Sequence, residues 1–397
     1  MWPSYMRNIT PVLDCIERFD ELYGQPMPIR IGGTTQDRAT YDPKFKGYIS
    51  YHVDHLSDAP MSLIYGPRFF NLTSEYGAQI TIGLNRALDN RTNTWAAVME
   101  LNKRAGKHVE AIELGNEPDL YLEFWQYPIA MPLWDEAQEG ADAADWIQDF
   151  AKRWKGKRPI LAAGGYAIPF PYKPNWPNLP YLIDHSLNAS TKAAVKEISL
   201  RSRFGLPWTM ASHTSSARLG STPQILRWTS SLRLYYHQGT IDYAFFNWWY
   251  HDQVNTPFYG GYMSALATVG ADHITADDDG TTLFAQYTLF KKGRPFKLVL
   301  INTDYYDGNG KRNWHTYDFT NLAEGKVEVV RMTAPNSLTK TTKAQENPSQ
   351  EVTIAGQYFS NRDCSIMGKE KRVIMKVKGG KLSVKVYASE AVIVHLK

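Results

Sequence analysis

The sequence predicts an α/β chain of two domains: a TIM-type (β/α)8 barrel, incomplete, over residues 1–268, and an antiparallel β-sandwich over residues 269–397. Three observations predict it. From the start to about residue 268, short apolar strands alternate with amphipathic stretches, the pattern of βα units repeated around a parallel sheet. Beyond that point the chain changes to short alternating strands divided by turns, which suits an antiparallel sandwich. A length of 397 residues with 43% hydrophobic content exceeds what one typical core holds.

Barrel strands are predicted at residues 28–31, 79–85, 109–116, 159–164, 195–200, 207–212 and 242–248, where β-branched and aliphatic residues are dense. Amphipathic helices are predicted between them at residues 11–23, 92–105, 144–153 and 224–236. An eight-stranded barrel then lacks one strand. A second gap lies between Leu200 and Pro207, where six residues join strands that should be parallel neighbours. A parallel crossover takes a dozen residues or more, so a whole unit is expected to be missing there. An opened barrel leaves two strand edges unpaired, and reduced stability is expected. Sandwich strands are predicted at residues 283–289, 296–302, 326–332, 372–378, 381–387 and 391–396, with Lys378-Gly379-Gly380-Lys381 as a hairpin turn between two of them.

One stretch carries chemistry: Ala111-Ile112-Glu113-Leu114-Gly115-Asn116-Glu117-Pro118-Asp119-Leu120-Tyr121. Gly115 and Pro118 end an apolar strand, so Asn116 and Glu117 fall at its carboxyl end. In α/β barrels that end faces the active site, and a carboxyl there can serve as general acid. A plainer reading stands beside this one, in which Asn116 caps the next helix and Glu117 sits in its first turn.

The run Gly115-Asn116-Glu117-Pro118-Asp119-Leu120-Tyr121 resembles the acid/base motif of glycoside hydrolase family 79, the fungal β-glucuronidase and heparanase group. Ile29-Arg30-Ile31-Gly32-Gly33-Thr34-Thr35-Gln36-Asp37 is similar to that family's second barrel strand and the loop after it. This likeness implies that Asp37 holds sugar hydroxyls. Thr256-Pro257-Phe258-Tyr259-Gly260-Gly261 resembles the segment after the last barrel strand, and implies that Tyr259 helps bind a uronic acid carboxylate. The tail from about Thr281 resembles the family's C-terminal sandwich, and Trp2-Pro3-Ser4-Tyr5 resembles the chain just after its first strand. The missing strand is therefore expected to precede Met1. The resemblance implies retaining hydrolysis of β-linked glucuronides with Glu117 as acid/base, a carbohydrate partner and an extracellular location. The residues Met1 to Arg7 lack the apolar run of a signal peptide.

A retaining glycosidase needs a second carboxylate as nucleophile. In the family it ends the seventh strand, and the corresponding stretch here is Pro207-Trp208-Thr209-Met210-Ala211-Ser212-His213-Thr214-Ser215. Ser212 falls at the glutamate's place, or Ala211 if the match slips by one. No Glu occurs between Glu197 and Glu324. Two readings follow: a β-glucuronidase-type glycosidase by descent, or a carbohydrate-binding pseudoenzyme or nucleophile-knockout variant. A serine hydrolase built on Ser212 and His213 would lack the Gly-X-Ser-X-Gly elbow.

Composition narrows the partners. The formal charge of +4 comes without a block of Lys and Arg, so no nucleic acid is expected, and no stretch is long enough to span a membrane. Aromatic content of 13% suits stacking on sugar faces but serves large cores equally. The acidic run Asp277 to Asp279 reads as a solvated turn, and His52 and His55 lack a supporting carboxylate pattern. No metal and no cofactor is expected. Cys15 and Cys364, far apart in sequence, read as buried thiols. Asn8, Asn71, Asn90 and Asn188 head glycosylation sequons at a frequency near chance.

Overall fold

The structure is a computed structural model of the chain, and it describes residues 10–396 apart from 56–58, 157–159, 169–170, 172, 201–215, 218–247, 251–252, 278–281, 343–344 and 346. The predicted strand at 207–212, the helix at 224–236 and all but Trp248 of the strand at 242–248 lie outside the described residues, as do Ser212 and Ala211. Contacts divide the described chain into two compact units. One holds residues 26–200 and 216–217; the other holds residues 10–25 and 248–396.

Helix α1 (Thr10–Tyr23) belongs to the second unit. The first unit begins with β1 (Ile29–Ile31), then a small three-stranded sheet of β2 (Ala39–Tyr41), β3 (Ile49–Tyr51) and β4 (Leu63–Tyr65), which the sequence reading missed. Helix α2 (Pro67–Glu75), β5 (Ile80–Leu84), α3 (Arg91–Ala105), β6 (Val109–Leu114), α4 (Glu136–Arg153), β7 (Leu161–Tyr166), α5 (Ala189–Ala194) and β8 (Val195–Leu200) follow. The main sheet runs β1-β5-β6-β7-β8, all parallel, and closes on β9 (Ser216–Ala217), which pairs antiparallel with β8.

Local chemistry sets the helix starts. The Asp135 carboxylate accepts from the N–H groups of Ala137 and Gln138, and Glu136 and Glu139 meet the positive end of α4. Asn90 caps α3 through Asn93 N–H, and Asn188 caps α5 through the N–H groups of Ser190 and Thr191. Two of the four sequon asparagines thus hold helix ends. Residues Ala143, Trp146, Ile147 and Phe150 give α4 its apolar stripe, and Phe150 meets Trp95 of α3 edge to face.

Register sorts the sheet's two faces. Arg30 lies opposite Thr81, Gly83 opposite Glu113, Glu113 opposite Ala162, and Ala162 opposite Glu197. Side chains alternate along a strand, so these residues share one face, and it is polar or small. The other face carries Ile82, Ile112, Leu161 and Ala163, with Leu161 and Ala163 beside Ala143, Trp146 and Ile147 of α4. The ionisable groups therefore line the side away from the helices.

In the second unit, β10 (Trp249–Tyr250) and β11 (Gln253–Val254) lead into α6 (Thr256–Thr268), and β12 (His273–Ala276) follows. The sandwich's larger sheet contains β12, β13 (Phe284–Lys291), β14 (Arg294–Asn302), β16 (Gly325–Thr333), β17 (Thr353–Ile354), β20 (Val373–Val377) and β22 (Glu390–His395). The smaller one is β15 (Trp314–Phe319) against β21 (Leu382–Tyr387), and β18 (Tyr358–Phe359) pairs with β19 (Ile366–Met367). The core lies between β14, β16 and β22 on one side and β15 and β21 on the other. It includes Leu298, Leu300, Tyr317, Val329, Val384, Val386, Val392 and Val394.

Two expectations are corrected here. Gly379 and Gly380 do make the turn between β20 and β21, both with positive φ. The strands it joins pair elsewhere, β20 with β16 and β21 with β15, so the turn carries the chain from one sheet to the other. The cysteines are not thiols. Cys15 and Cys364 form a disulfide across 349 residues, because α1 folds with the sandwich unit and brings the two Cα atoms to 5.0 Å. A cross-link closing so long a loop restricts the unfolded chain strongly. The double variant Cys15→Ser/Cys364→Ser is expected to lose about 2–5 kcal/mol in urea unfolding, with reductant lowering the midpoint of the parent chain alone. An unchanged midpoint in reductant would refute this.

Lys297 shows how the sandwich holds α6. Its ammonium donates to the carbonyls of Leu266 (2.7 Å), Ala267 (3.0 Å) and Val269 (3.1 Å), so it caps the helix's negative end. Burial pulls its pKa down to about 8.

Candidate active site

Glu117 stands where β6 ends, and its backbone is left-handed, with φ 53° and ψ 53°. A non-glycine residue in that region costs about 1–2 kcal/mol, so its surroundings must impose it. They do so from three directions. Glu117 N–H donates to Gly165 O at 3.0 Å, from the end of β7. The next residue, Pro118, opens a single 3₁₀ turn, and its carbonyl accepts from the Trp134 indole at 2.7 Å. The Asp119 carboxylate accepts from the N–H groups of Ala167 (2.9 Å) and Ile168 (2.8 Å) beyond β7. Glu117 itself is 7% exposed.

Asp37 is a further anchor. It is fully buried, and its two oxygens are filled by protein donors. Oδ1 accepts from Arg86 N–H (3.1 Å) and Ala87 N–H (3.3 Å), and Oδ2 accepts from Asn116 N–H (2.6 Å) and the Tyr121 hydroxyl (2.8 Å). One carboxylate therefore joins the loops after β1, β5 and β6. Burial pushes its pKa up to about 6 against the pull of these hydrogen bonds. With its acceptor sites taken, Asp37 is a clamp behind Asn116 and Glu117, which corrects the expectation that it holds sugar hydroxyls.

Behind the clamp sits a buried ionic cluster. Arg86 donates to Glu139 Oε1 (2.9 Å) and twice to Asp142 Oδ2 (3.0 and 2.6 Å), and the Tyr166 hydroxyl donates to the other Glu139 oxygen. On the inner face of the sheet, Arg30 Nε donates to Glu113 Oε2 at 2.5 Å. Arg30 Nη2 reaches Gln36 Oε1 (3.3 Å) and Asn116 Oδ1 (3.4 Å). The Asn116 amide is thus held on its backbone side by Asp37 and on its side-chain side by Arg30. Gly165 allows this arrangement: its φ is 77°, and a Cβ there would lie 2.5 Å from Glu113 Oε1.

The loops after β6 and β7 also enclose a cavity of about 180 Å³, lined by Asp119, Glu123, Trp134, Lys173, Asn175 and Trp176 among others. A cavity of about 150 Å³ is known to hold a benzene ring, so this one takes a single six-membered ring.

Burial, with the Glu117 charge as a lesser contributor, pushes the Asp119 pKa up to about 7 against the pull of the Ile168 and Ala167 N–H groups. Asp37 and Asp119 are both raised above the ordinary 3.8, so the native state keeps protons that the unfolded chain has shed. Their stability contribution is present below about pH 4 and is lost as pH rises through about 6 and 7. Asp119→Asn is expected to remove one group's share, about 1.4 kcal/mol per pH unit at the steepest point. Unfolding of both proteins followed from pH 4 to 8 checks this; a pH-independent difference between them would contradict it.

Glu117, Asn116 and Asp37 thus come together at one end of the sheet, while Ser212 lies outside the described residues. Tyr259 lies in the second unit, on α6. It is fully buried against Phe258 and Phe359, and its hydroxyl accepts from Phe359 N–H at 2.9 Å. This leaves no free face for a uronate, so Tyr259 is not retained as a sugar ligand. Sequence reasoning missed Arg30, Arg86, Glu113 and Glu139. The signal for Glu113 was present, since a carboxylate inside an otherwise apolar strand needs a partner. Among the described residues, no three His, Cys, Asp or Glu side chains come together as a metal set. No helix of the described residues is long and apolar enough to cross a membrane.

A parallel sheet with helices between its strands, followed in the chain by antiparallel sheets, is the layout of a partial TIM-type barrel with a C-terminal β-domain. Residues 286–393 match the glycosyl hydrolase family 79 C-terminal beta domain. The chain is 30% identical to the β-glucuronidase of Neurospora crassa over 132 residues, 31% of this chain and 24% of that protein. It is also 30% identical to the β-glucuronidase of Aspergillus niger over 164 residues, 39% of this chain and 30% of that one. The matches thus span less than a third of either relative's length. The crystal structure of a 4-O-α-L-rhamnosyl-β-D-glucuronidase from Fusarium oxysporum is similar throughout, with a TM-score of 0.79 and 27% identity over 100% of this chain and 93% of that one. Residues 286–393 thus carry the family 79 C-terminal domain, and the chain is similar to β-glucuronidases.

Proposed function

We propose that this chain is a β-glucuronidase-type glycoside hydrolase by descent, that it takes β-linked glucuronides at the end of β6, and that Glu117 protonates the leaving oxygen. The observation that carries the reading is the immobilised backbone of Glu117, strained to φ 53° and tied, with the residues that follow it, to the end of β7 and to Trp134 of its own connection. Strain imposed on a carboxylate at a strand's carboxyl end is what a positioned acid requires. The Arg30 and Asp37 contacts to Asn116 orient its amide beside that acid.

Ser212 is the specific feature favouring a second reading, in which binding survives and turnover does not. The nucleophilic step needs a carboxylate about 5–5.5 Å from the acid, and serine supplies none. The disulfide supports an extracellular location, since such bonds persist in oxidising compartments. Calorimetric titration with phenyl β-D-glucuronide and phenyl β-D-glucoside, run with a turnover assay, tests the proposal. The glucuronide is expected to bind in preference, with slow or undetectable release of phenol. Equal binding of both, or of neither, would overturn it.

A further inference from the structure

The outward face of the β15–β21 sheet carries a feature that the Glu117 site does not use. Trp314 and Tyr387 are directly opposite one another across the two strands, with ring centroids 6.3 Å apart. Tyr317, Val384 and Val386 point into the sandwich core, whereas Trp314, Lys385 and Tyr387 point out. Trp314 is 40% and Tyr387 38% exposed. Two ammonium groups stand at the indole: Lys385 Nζ is 4.6 Å and Lys311 Nζ 4.9 Å from the ring centroid. Charge elsewhere in this part of the chain has the same sign. Residues 269–397 hold 19 Lys and Arg against 14 Asp and Glu, while residues 1–268 hold 25 against 26, so the excess positive charge lies here.

We propose that the Trp314–Tyr387 face is a surface binding site for uronate-bearing polysaccharide, separate from the Glu117 site. A pyranose ring has an apolar face that stacks on an indole, and a uronate carries its carboxylate on that same ring. Both ammonium groups lie over the Trp314 ring itself, so a uronate that stacks on the indole displaces these flexible side chains to its rim, where they meet its carboxylate. Nucleic acid fits less well, because it needs a row of cations spaced along a phosphate backbone and only two lysines flank this indole. The ligand is a polymer because a single exposed indole, with Tyr387 edge-on beside it at 66°, holds one sugar weakly, and repeated acid sugars raise the local concentration for rebinding. This proposal does not rest on the function assigned to Glu117.

Affinity gel electrophoresis of the full chain through polygalacturonate tests it, with neutral galactan as the control gel. The parent chain is expected to be retarded by the acidic polymer and not by the neutral one. Trp314→Ala is expected to weaken binding about tenfold, equivalent to about 1.4 kcal/mol. Lys311→Ala/Lys385→Ala is expected to do the same, while Lys326→Ala/Lys340→Ala, which removes the same charge from other exposed positions, leaves retardation unchanged. Unaltered melting curves confirm that the surface variants are folded. Absence of retardation, equal retardation by galactan, Trp314→Ala binding like the parent, or an equal loss in the Lys326/Lys340 variant would each overturn the proposal. So would displacement by double-stranded DNA at lower concentration than by oligogalacturonate.

Discussion

Replacing Ser212 with glutamate is expected to raise hydrolysis of an aryl β-glucuronide by roughly 10³-fold, while Ala211→Glu leaves it near the parent's very low level. Such a gain corresponds to about 4 kcal/mol of barrier, the scale of adding a reacting group where none stood. Glu117 can protonate a leaving group, but without a nucleophile there is nothing to trap the sugar, so double displacement has no first step. Position 212 is favoured over 211 by register, because a slip of one residue sends a side chain to the opposite face of a strand. Both positions lie outside the described residues. Rescue at 211 rather than 212, or parent turnover equal to that of a complete family enzyme, would contradict it.

Asp37→Ala is expected to cost about 3–5 kcal/mol of stability. The variant strips four buried donors of their acceptor: the N–H groups of Arg86, Ala87 and Asn116 and the hydroxyl of Tyr121. Leaving donors unsatisfied in a buried site costs more than the hydrogen bonds contributed while formed. Because the same carboxylate ties the Asn116 backbone down, Glu117 also loses its fixed approach. In a Ser212→Glu background the variant is therefore expected to lower kcat while the protein remains folded at low urea. Urea unfolding measures the stability term, and a loss under about 1 kcal/mol would show that Asp37 faces solvent or ligand instead.

The sequence carried the parallel sheet well and its partners poorly. The strand at residues 195–200 matches β8 end to end, and those at 79–85 and 109–116 differ from β5 and β6 by no more than two residues at either end. Dense β-branched residues bounded by Gly and Pro are a local signal, and local signals are legible. Helix α4 begins at Glu136, eight residues before its expected start, because its first two turns are polar and only the Asp135 cap announces them. The turn at Gly379 and Gly380 was legible from two glycines, yet which strands it separates depends on sheets assembled from distant residues. Asp37 shows the same limit at the site. Its donors lie 49, 50, 79 and 84 residues away, so its position in a family motif marked it as important without revealing that it clamps backbone. The disulfide was beyond reach for a similar reason, since 349 residues separate its halves.

The most direct test of Glu117 as the acid is a crystal structure of the parent chain with phenyl β-D-glucuronide. With serine at the nucleophile position, the glycoside is expected to persist intact. The uronide is expected at the end of β6, its glycosidic oxygen about 3 Å from the Glu117 carboxyl, with Asp37 still holding Asn116 and making no contact to the sugar. A glucuronide bound with that oxygen beyond hydrogen-bond reach of Glu117, or with its hydroxyls on Asp37, would contradict it.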